Sequence, residues 1–441
     1  VVDVLRERGL LDAVTNEQSL RALSAPGSAP LRVYCGFDPT ADSLHLGNLL
    51  GIIVLAWFQR CGHVPVALVG GATGRVGDPS GKQTERPLLD EPTLARNVDA
   101  IAALLARLLS SPDAQQDRRV EVLNNMSWFG GMHLLDFLRD VGKLARVGVM
   151  LSKDSVKARM SSPSGSEAAG EGAEGMSFTE FSYQLLQAYD FAHLFRERGV
   201  SVQVGGSDQW GNITAGTDLI RRLGCGEGAV GLTFPLLLRS DGRKFGKSEE
   251  GAVWLSAEKL SPYRFYQHVF GTPDADVPTF LRRLTFMSLP DIALLEADMR
   301  SPEYQVNSAQ RALAAELTRF VHGEEGLAQA LRATQGLAPG AQTTLDAESL
   351  AALAGDVPGY SLPRARALAG DLSVAELAVL AGLQPSKGAA RRLIKGGGVY
   401  LNNVKVGEEG ALVAADDAVD GRLLLLACGK KNKVLITLTD E

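Results

Sequence analysis

Cysteine is scarce in this chain: it occurs at 35, 61, 225 and 428 only, and no two cysteines form a Cys-x-x-Cys pair. Neither a zinc site nor a disulfide framework is therefore suggested, and a reducing, intracellular setting fits best. Long apolar runs are missing too. Leu49 to Phe58, the longest in the opening region, is far too short to cross a bilayer, so no membrane role is expected. Positive charge is not in excess. The formal net charge of −6 argues against indiscriminate coating of nucleic acid but allows a local basic face. A cleavable signal pattern is also lacking. The chain opens Val1-Val2, so any targeting segment is expected to have been removed or never to have been present.

A phosphate-binding P-loop is absent as well. Gly74 to Gln83 tempts that reading, but the first glycine of the motif would have to stand at Val76, and Gln83 takes the place of the required Ser or Thr.

What the chain does have is length and core material. Its 441 residues suggest about three domains, and 45% apolar with 22% charged residues is ordinary for a soluble globular protein. The organising stretch is Val33 to Phe58. Leu31 to Phe37 is short, apolar and β-prone, while Leu46, Leu49, Leu50, Ile53, Val54, Trp57 and Phe58 recur at helical spacing. A strand feeding a helix over His45 to Cys61 is expected, with Pro39, Asp42 and Ser43 supplying the turn. His45 and Asn48, three apart, should share a face of the first helical turn. The free N–H groups there suit a phosphate, and Gly47 leaves room for a base or ribose.

A second stretch lies almost two hundred residues later. Lys244-Phe-Gly-Lys-Ser248 follows an expected strand, Phe234 to Leu238, and a polar turn, Ser240-Asp-Gly242. Two lysines three apart on a glycine-containing loop form a flexible double cation suited to a polyphosphate whose charge is building.

In this order, His45-Leu-Gly-Asn48 and Lys244 to Ser248 resemble the HIGH and KMSKS signatures of class I aminoacyl-tRNA synthetases. Tyr34-Cys-Gly-Phe-Asp-Pro-Thr40, Gly70-Gly-Ala-Thr-Gly74, Asp78-Pro-Ser-Gly-Lys82, Tyr183 to Asp190 and Gly205-Gly-Ser-Asp-Gln-Trp210 resemble the bacterial and organellar tyrosyl type specifically. The likeness runs over most of the chain. It implies an α/β fold: a Rossmann-like parallel-sheet catalytic domain, then an α-helical domain, then a small α+β RNA-binding domain. The expected bounds are 1–259 for the catalytic domain, with a dimer-interface insertion about 120–180, 260–345 for an α-helical anticodon-binding domain, 346–372 for a linker and 373–441 for the RNA-binding domain. Placement in a bacterial cytoplasm, or in a mitochondrial matrix or chloroplast stroma, follows from the same resemblance.

Several elements are expected along the way. Val64 to Val69 completes a βαβ unit whose ligands should sit at the carboxyl ends of its strands. Thr93 to Leu109, Leu134 to Val149, Phe178 to Phe195 and Asn307 to His322 look helical, and Asn124-Asn-Met-Ser-Trp128 ends a strand. Tyr183, Gln187 and Asp190 share one helical face, and Val200 to Val204 is a strand running into Gly205-Gly206. Ser161 to Gly175 is of low complexity and is expected to be disordered. In the last seventy residues, helices at 374–381 and 386–395 should precede strands near 399, 404, 423–428 and 434–438. Gln384 to Lys405 holds Lys387, Arg391, Arg392, Lys395 and Lys405 without an acidic residue, and its pattern resembles the αL-type RNA-binding module shared with a ribosomal small-subunit protein.

The implied reaction joins tyrosine to ATP as an adenylate and then passes the tyrosyl group to tRNA(Tyr). No serine, cysteine or histidine nucleophile is required, and no convincing triad is present. The resemblance places Thr40, His45, Asn48, Lys82, Arg86, Lys244 and Lys247 on the transition state. It places Tyr34, Asp78, Asn125, Tyr183, Gln187 and Asp190 around tyrosine, with Tyr34 and Asp190 as partners of the phenol hydroxyl. Cys35, Gly36, Asp38, Gly47, Gly206, Asp208 and Gln209 fall to ATP or the adenylate, together with His45, Asn48 and Lys247. Asn48 stands where many relatives have a second histidine and cannot titrate. Mg²⁺ is expected as the ATP complex, with no protein-held metal, and a homodimer is implied. Two rivals stay open: an RNA-binding or splicing cofactor on the same scaffold, and a small-molecule nucleotidyltransferase of the same superfamily.

Overall fold

The computed structural model describes residues 1–80, 86, 88–110, 119–160, 176–248, 251–336, 350, 357–367, 369–429 and 432–440, of which 247 and 248 are described by their backbone alone. Two compact units divide the chain: Val1–Lys259 with Gly271–Leu317, and Leu260–Phe270 with Thr318–Glu441. The helical stretch expected as one domain at 260–345 is thus shared between the two.

The first unit is built on six strands: β1 (Ala13–Val14), β2 (Arg32–Phe37), β3 (Val64–Val69), β4 (Glu121–Asn124), β5 (Val200–Gly206) and β6 (Val230–Phe234), in the order β1-β6-β5-β2-β3-β4. All neighbours are parallel except β1, which closes one edge antiparallel to β6. β3 is buried at every residue, as a parallel strand covered on both faces should be. The chain builds outward from β2 through β3 to β4, then returns to the other side of β2 with β5 and β6. The reversal between β2 and β5 opens a crevice at the carboxyl ends of those strands.

Helix α1 (Leu49–Arg60) is buried at ten positions and packs on this sheet. It begins four residues later than its apolar spacing predicts. The Leu46 amide donates to Val253 O, at 2.7 Å, and Asn48 Oδ1 accepts from the His45 amide, at 3.1 Å, so these donors are satisfied outside a helical turn. His45 itself forms an antiparallel bridge with Trp254. α2 (Glu91–Leu108) is capped by the Asp90 carboxylate on the Thr93 amide. α3 (Phe178–Arg198) starts at a Ser177 cap and stops at Gly199, whose φ of 63° suits glycine. α4 (Trp210–Arg222) packs against α3.

Other expectations shift. The last strand of the sheet is Val230–Phe234 rather than Phe234 to Leu238, because Pro235 lacks the donor a ladder needs. The helix expected over Leu134 to Val149 is broken into Leu134–Asp140, a 3-10 turn Gly142–Leu144 and Val147–Leu151. A buried ion pair, Arg159 to Glu180 at 2.8 Å, joins the two sides of the segment 161–175, which itself lies outside the described residues.

In the second unit five strands pair in the order β11-β10-β12-β13-β9: β9 (Gly359–Pro363), β10 (Val399–Leu401), β11 (Val404–Lys405), β12 (Leu423–Cys428) and β13 (Asn432–Thr439). β9 falls inside the interval expected to be a linker. It pairs parallel with β13 and adds Leu362 to the core that Ala375, Leu377, Ile394, Leu424 and Ile436 build. Its pairing partner is some seventy residues away, which is why local composition reads as a connection. The helical run Ser308–Gly336 is two helices meeting at Gly323, where the backbone is non-helical with φ 74°, so the first of them ends at the expected His322.

Candidate active site

A cleft of about 400 Å³ opens at the carboxyl edge of the first unit's sheet, above the β2–β5 reversal. It is lined by Tyr34, Cys35, Gly36, Asp38, Thr40, His45, Gly47, Asn48, Asp78, Arg86, Asn125, Tyr183, Gln187, Asp190, Gly206, Asp208, Gln209 and Lys244. Every candidate of the first unit whose side chain is described therefore meets there. Lys82 lies outside the described residues. Lys247 is described by its backbone, in the two-residue strand β7 (Lys247–Ser248), which pairs with β8 (Gly251–Ala252).

At the deep end, Tyr34 is 1% exposed and its hydroxyl has no partner among the described residues. Asp190, one turn below Gln187 on α3, accepts from Trp128 Nε1 at 2.9 Å and from Asn125 Nδ2 at 3.2 Å. Burial pushes its carboxyl up to about 8 against the pull of those two donors. A second acceptor, Thr73 Oγ1, takes another Asn125 Nδ2 hydrogen at 3.1 Å and donates in turn to Asp38 Oδ1 at 2.9 Å. The Tyr183 hydroxyl donates to Asp38 Oδ2, also at 2.9 Å. Burial, helped by Asp78, raises Asp38 to about 6, and Arg86 opposes.

The middle of the cleft is a side-chain amide network. Gln209 Nε2 donates to Asp78 Oδ2 at 2.8 Å, and Asn212 Nδ2 donates to Gln187 Oε1 at 2.9 Å and to Ser80 Oγ at 3.2 Å. Asp208 is raised above the usual carboxylate range by burial and then by Asp78. Two buried polar atoms here lack a partner among the described residues: Gln203 Oε1 and Arg86 Nε. Such atoms are costly unless a ligand satisfies them.

At the open end, His45 Nδ1 accepts from the Gly47 amide at 3.1 Å, which leaves Nε2 as the ring nitrogen that carries hydrogen in the neutral imidazole. The Lys244 loop docks directly on this turn. Val253 N donates to Gly246 O, and Leu255 N donates to Leu44 O at 2.9 Å, so residues 251–255 run beside 44–46. The cleft thus has the buried Tyr34 hydroxyl and the Asp190 carboxyl at one end and His45 with Lys244 at the other. A histidine and a lysine at one mouth of the cleft can meet negative charge on a bound group, while the buried polar end orients a second. Among the described residues no cluster of three or more His, Cys, Asp or Glu could hold a metal ion.

Thr73, Ser80, Trp128, Gln203, Asn212 and Trp254 were not singled out by sequence reasoning. Thr73, Ser80 and Trp128 lie inside stretches flagged for other residues, and Asn212 follows Gln209 by one turn. Gln203 and Trp254 carry no local signal, because strand pairing brings them to the cleft.

The second unit carries the basic segment on its own α5 (Lys387–Lys395), capped by Ser386. Arg391, Arg392 and Lys395 project from this helix, and Lys405 approaches Gly397 just beyond it. Lys387 is engaged with Glu376 at 2.6 Å.

Comparison with known proteins gives two family matches: "tRNA synthetases class I (W and Y)" over residues 27–337, and "Tyrosine--tRNA ligase SYY-like C-terminal domain" over residues 350–436. A tyrosine–tRNA ligase of Arabidopsis thaliana, chloroplastic/mitochondrial, is 57% identical over 440 residues, covering 100% of this chain and 84% of that protein. One from Protochlamydia amoebophila is 53% identical over 443 residues, covering 100% and 99%. Among solved structures, a C-terminally truncated mitochondrial tyrosyl-tRNA synthetase of Aspergillus nidulans is similar with a TM-score of 0.65 at 32% identity, covering 75% of this chain and 91% of that one.

Proposed function

Because the chain belongs to the tyrosine–tRNA ligase family of class I tRNA synthetases, we propose that its cleft activates L-tyrosine with ATP and hands the tyrosyl group to tRNA(Tyr). In the first step a tyrosine carboxylate oxygen attacks the α-phosphorus of ATP. The bond to the bridging oxygen breaks and pyrophosphate leaves. In the second, a hydroxyl of the terminal tRNA ribose attacks the adenylate carbonyl and AMP departs. The protein supplies no covalent nucleophile; it positions two substrates and meets the charge that develops.

The observation that carries this reading is the meeting, in one cleft, of the buried Tyr34 hydroxyl, without a partner among the described residues, and Asp190 with His45 and Lys244 at the far end. A phenol hydroxyl entering between Tyr34 and Asp190 satisfies the Tyr34 hydroxyl and adds a partner to Asp190, whereas phenylalanine leaves the Tyr34 hydroxyl without one. Asp78, Tyr183 and Gln187, with Asn125 nearby, fall to the ammonium end. Cys35, Gly206 and Asp208 fall to the ribose and Gly36 to ATP or the adenylate, with Asp38 and Gln209 between the substrates. Thr40, His45, Asn48, Arg86, Lys244 and, beyond the described side chains, Lys82 and Lys247 fall to the triphosphate. Mg²⁺ enters as part of the ATP substrate.

Arg391, Arg392, Lys395 and Lys405 form the RNA-facing set, with Lys387 held on Glu376. A homodimer is supported by exposed apolar side chains in the insertion, among them Leu134, Leu135, Val147, Met160 and Phe178, the last 78% exposed. Amino-acid-dependent exchange of pyrophosphate into ATP, run across all twenty amino acids, tests the activity. Exchange that responds to tyrosine alone is expected, and no response to tyrosine overturns the reading.

A further inference from the structure

Trp254 stands where the Lys244 loop returns to the sheet, and both sides of the cleft mouth converge on it. Its backbone forms the antiparallel bridge with His45. Its ring lies 6.4 Å from the imidazole, centroid to centroid, at a tilt of 51°. The Lys259 ammonium sits over the indole, 5.1 Å from the ring centroid, and is itself held by Asp42 at 2.6 Å. Trp254 also lines the cleft. Both arms of this arrangement are short stretches of chain, 42–46 and 252–259, laid side by side by backbone hydrogen bonds. The Ser256 amide adds a further bond to Ser43 Oγ at 3.1 Å.

We propose that Trp254 is a positioning residue for His45, an indole wall clamped by the Asp42–Lys259 pair that fixes the direction of the imidazole toward the polyphosphate. The inference rests on the adenylate-forming reading of the cleft. The Gly47 amide on Nδ1 and the backbone bridge to Trp254 hold one side of His45, and the indole stands against its ring. An aromatic ring supplies a broad, rigid surface with little conformational freedom of its own, and the cation stacked on it favours the aromatic over an aliphatic residue. Movement of the Lys244 loop is transmitted to the imidazole through the same residue, because Val253, one residue before the tryptophan, is bonded to Gly246.

The test uses the full chain in tyrosine-dependent pyrophosphate exchange, with Trp254→Leu, which keeps apolar bulk, and Trp254→Phe, which keeps an aromatic face. Each is made alone and in a His45→Ala background. For Trp254→Leu, kcat is expected to fall by about tenfold with the KM for tyrosine within about twofold, while Trp254→Phe stays within about threefold of the parent. In the His45→Ala background, Trp254→Leu should cost no further activity, since a residue acting through the imidazole has nothing left to position. A Trp254→Leu loss that multiplies in full with that of His45→Ala overturns the proposal. So does a loss carried by the KM for tyrosine, or no loss at all. Absence of exchange in the parent protein instead defeats the adenylate reading, so the two failures are distinct. Should Trp254→Leu not fold, Lys259→Met carries the same test: a kcat loss absent from the His45→Ala background supports the clamp, and an undiminished or fully additive result overturns it.

Discussion

Gly246 passes so close to Gly47 that a Cβ added to Gly246 would lie 2.7 Å from the Gly47 nitrogen. The two glycines belong to the two polar signatures, one on each side of the cleft mouth, and neither has a positive φ. Space, not backbone conformation, is what requires glycine at 246. Gly246→Ala should therefore prise the Lys244 loop from the His45 turn, because the atoms in the way are backbone and cannot swing aside. A fall of about a hundredfold in kcat for pyrophosphate exchange is expected, as for reacting groups displaced by an ångström. Full activity in this variant would show that the loops need not touch.

Discrimination against phenylalanine rests on the deep end. Asp190 is 3% exposed and already accepts from Asn125 and Trp128, so its carboxylate is oriented before a substrate arrives. Asp190→Ala should lower the ratio of kcat/KM for tyrosine over phenylalanine by at least about tenfold, the cost of one buried polar group left without its partner. The measurement is adenylate formation with each amino acid. An unchanged ratio would remove Asp190 from the specificity pocket.

The same carboxyl makes the ligand-free protein sensitive to pH. Its value is pushed up to about 8 in the folded state, from 3.8 as the ordinary reference. The folded protein therefore holds a proton that the unfolded chain releases. That contribution is complete below about 4 and is lost as pH rises toward and through 8. Asp38, raised to about 6, behaves alike over a lower window. Between pH 6 and 8 the parent should lose unfolding free energy relative to Asp190→Asn by up to about 1.4 kcal/mol per pH unit, levelling above 8. Denaturant titrations at pH 6, 7, 8 and 9 read this directly. Parallel curves for the two proteins would contradict it.

How much of this was legible in sequence follows from where each signal is stored. β3 was readable to the residue, since an unbroken apolar strand bounded by Gly62 and Gly70 depends on nothing distant. The start of α1 was not. Its first turn is displaced by a bond from Leu46 to Val253, about two hundred residues on. β9 was missed for the same reason, because Gly359–Pro363 becomes a strand only beside β13. In the site, residues lying within a glycine- or proline-marked loop, such as Asp38, Asp78 and His45, could be chosen by local pattern. Gln203, Thr73 and Trp254 gain their meaning from neighbours across the cleft. Gly70 shows the limit well: it reads as a turn residue, yet a Cβ there would lie 2.2 Å from Asp38 Oδ1 and 2.4 Å from Thr73 Oγ1. Its role is to let those two side chains meet.

The basic face of the second unit gives the last prediction, and it separates the two chemical steps. Arg391, Arg392 and Lys395 project from α5 without a carboxylate partner among the described residues, whereas Lys387 is spoken for by Glu376. Reversing the first three to glutamate changes only side chains on the outer face, so the helix, capped by Ser386 and anchored by Ala390 and Ile394, should persist. Tyrosine-dependent pyrophosphate exchange involves no RNA and should stay within about twofold of the parent, because surface substitutions seldom cost much. Charging of tRNA(Tyr) should weaken, and the slope of log affinity against log salt should flatten by about one unit for each phosphate the variant no longer neutralises. Reversal at Lys387 alone should do less, since that ammonium must first leave Glu376 to reach a phosphate. Equal loss of exchange and charging in the triple variant would mean that α5 supports the fold instead of gripping RNA.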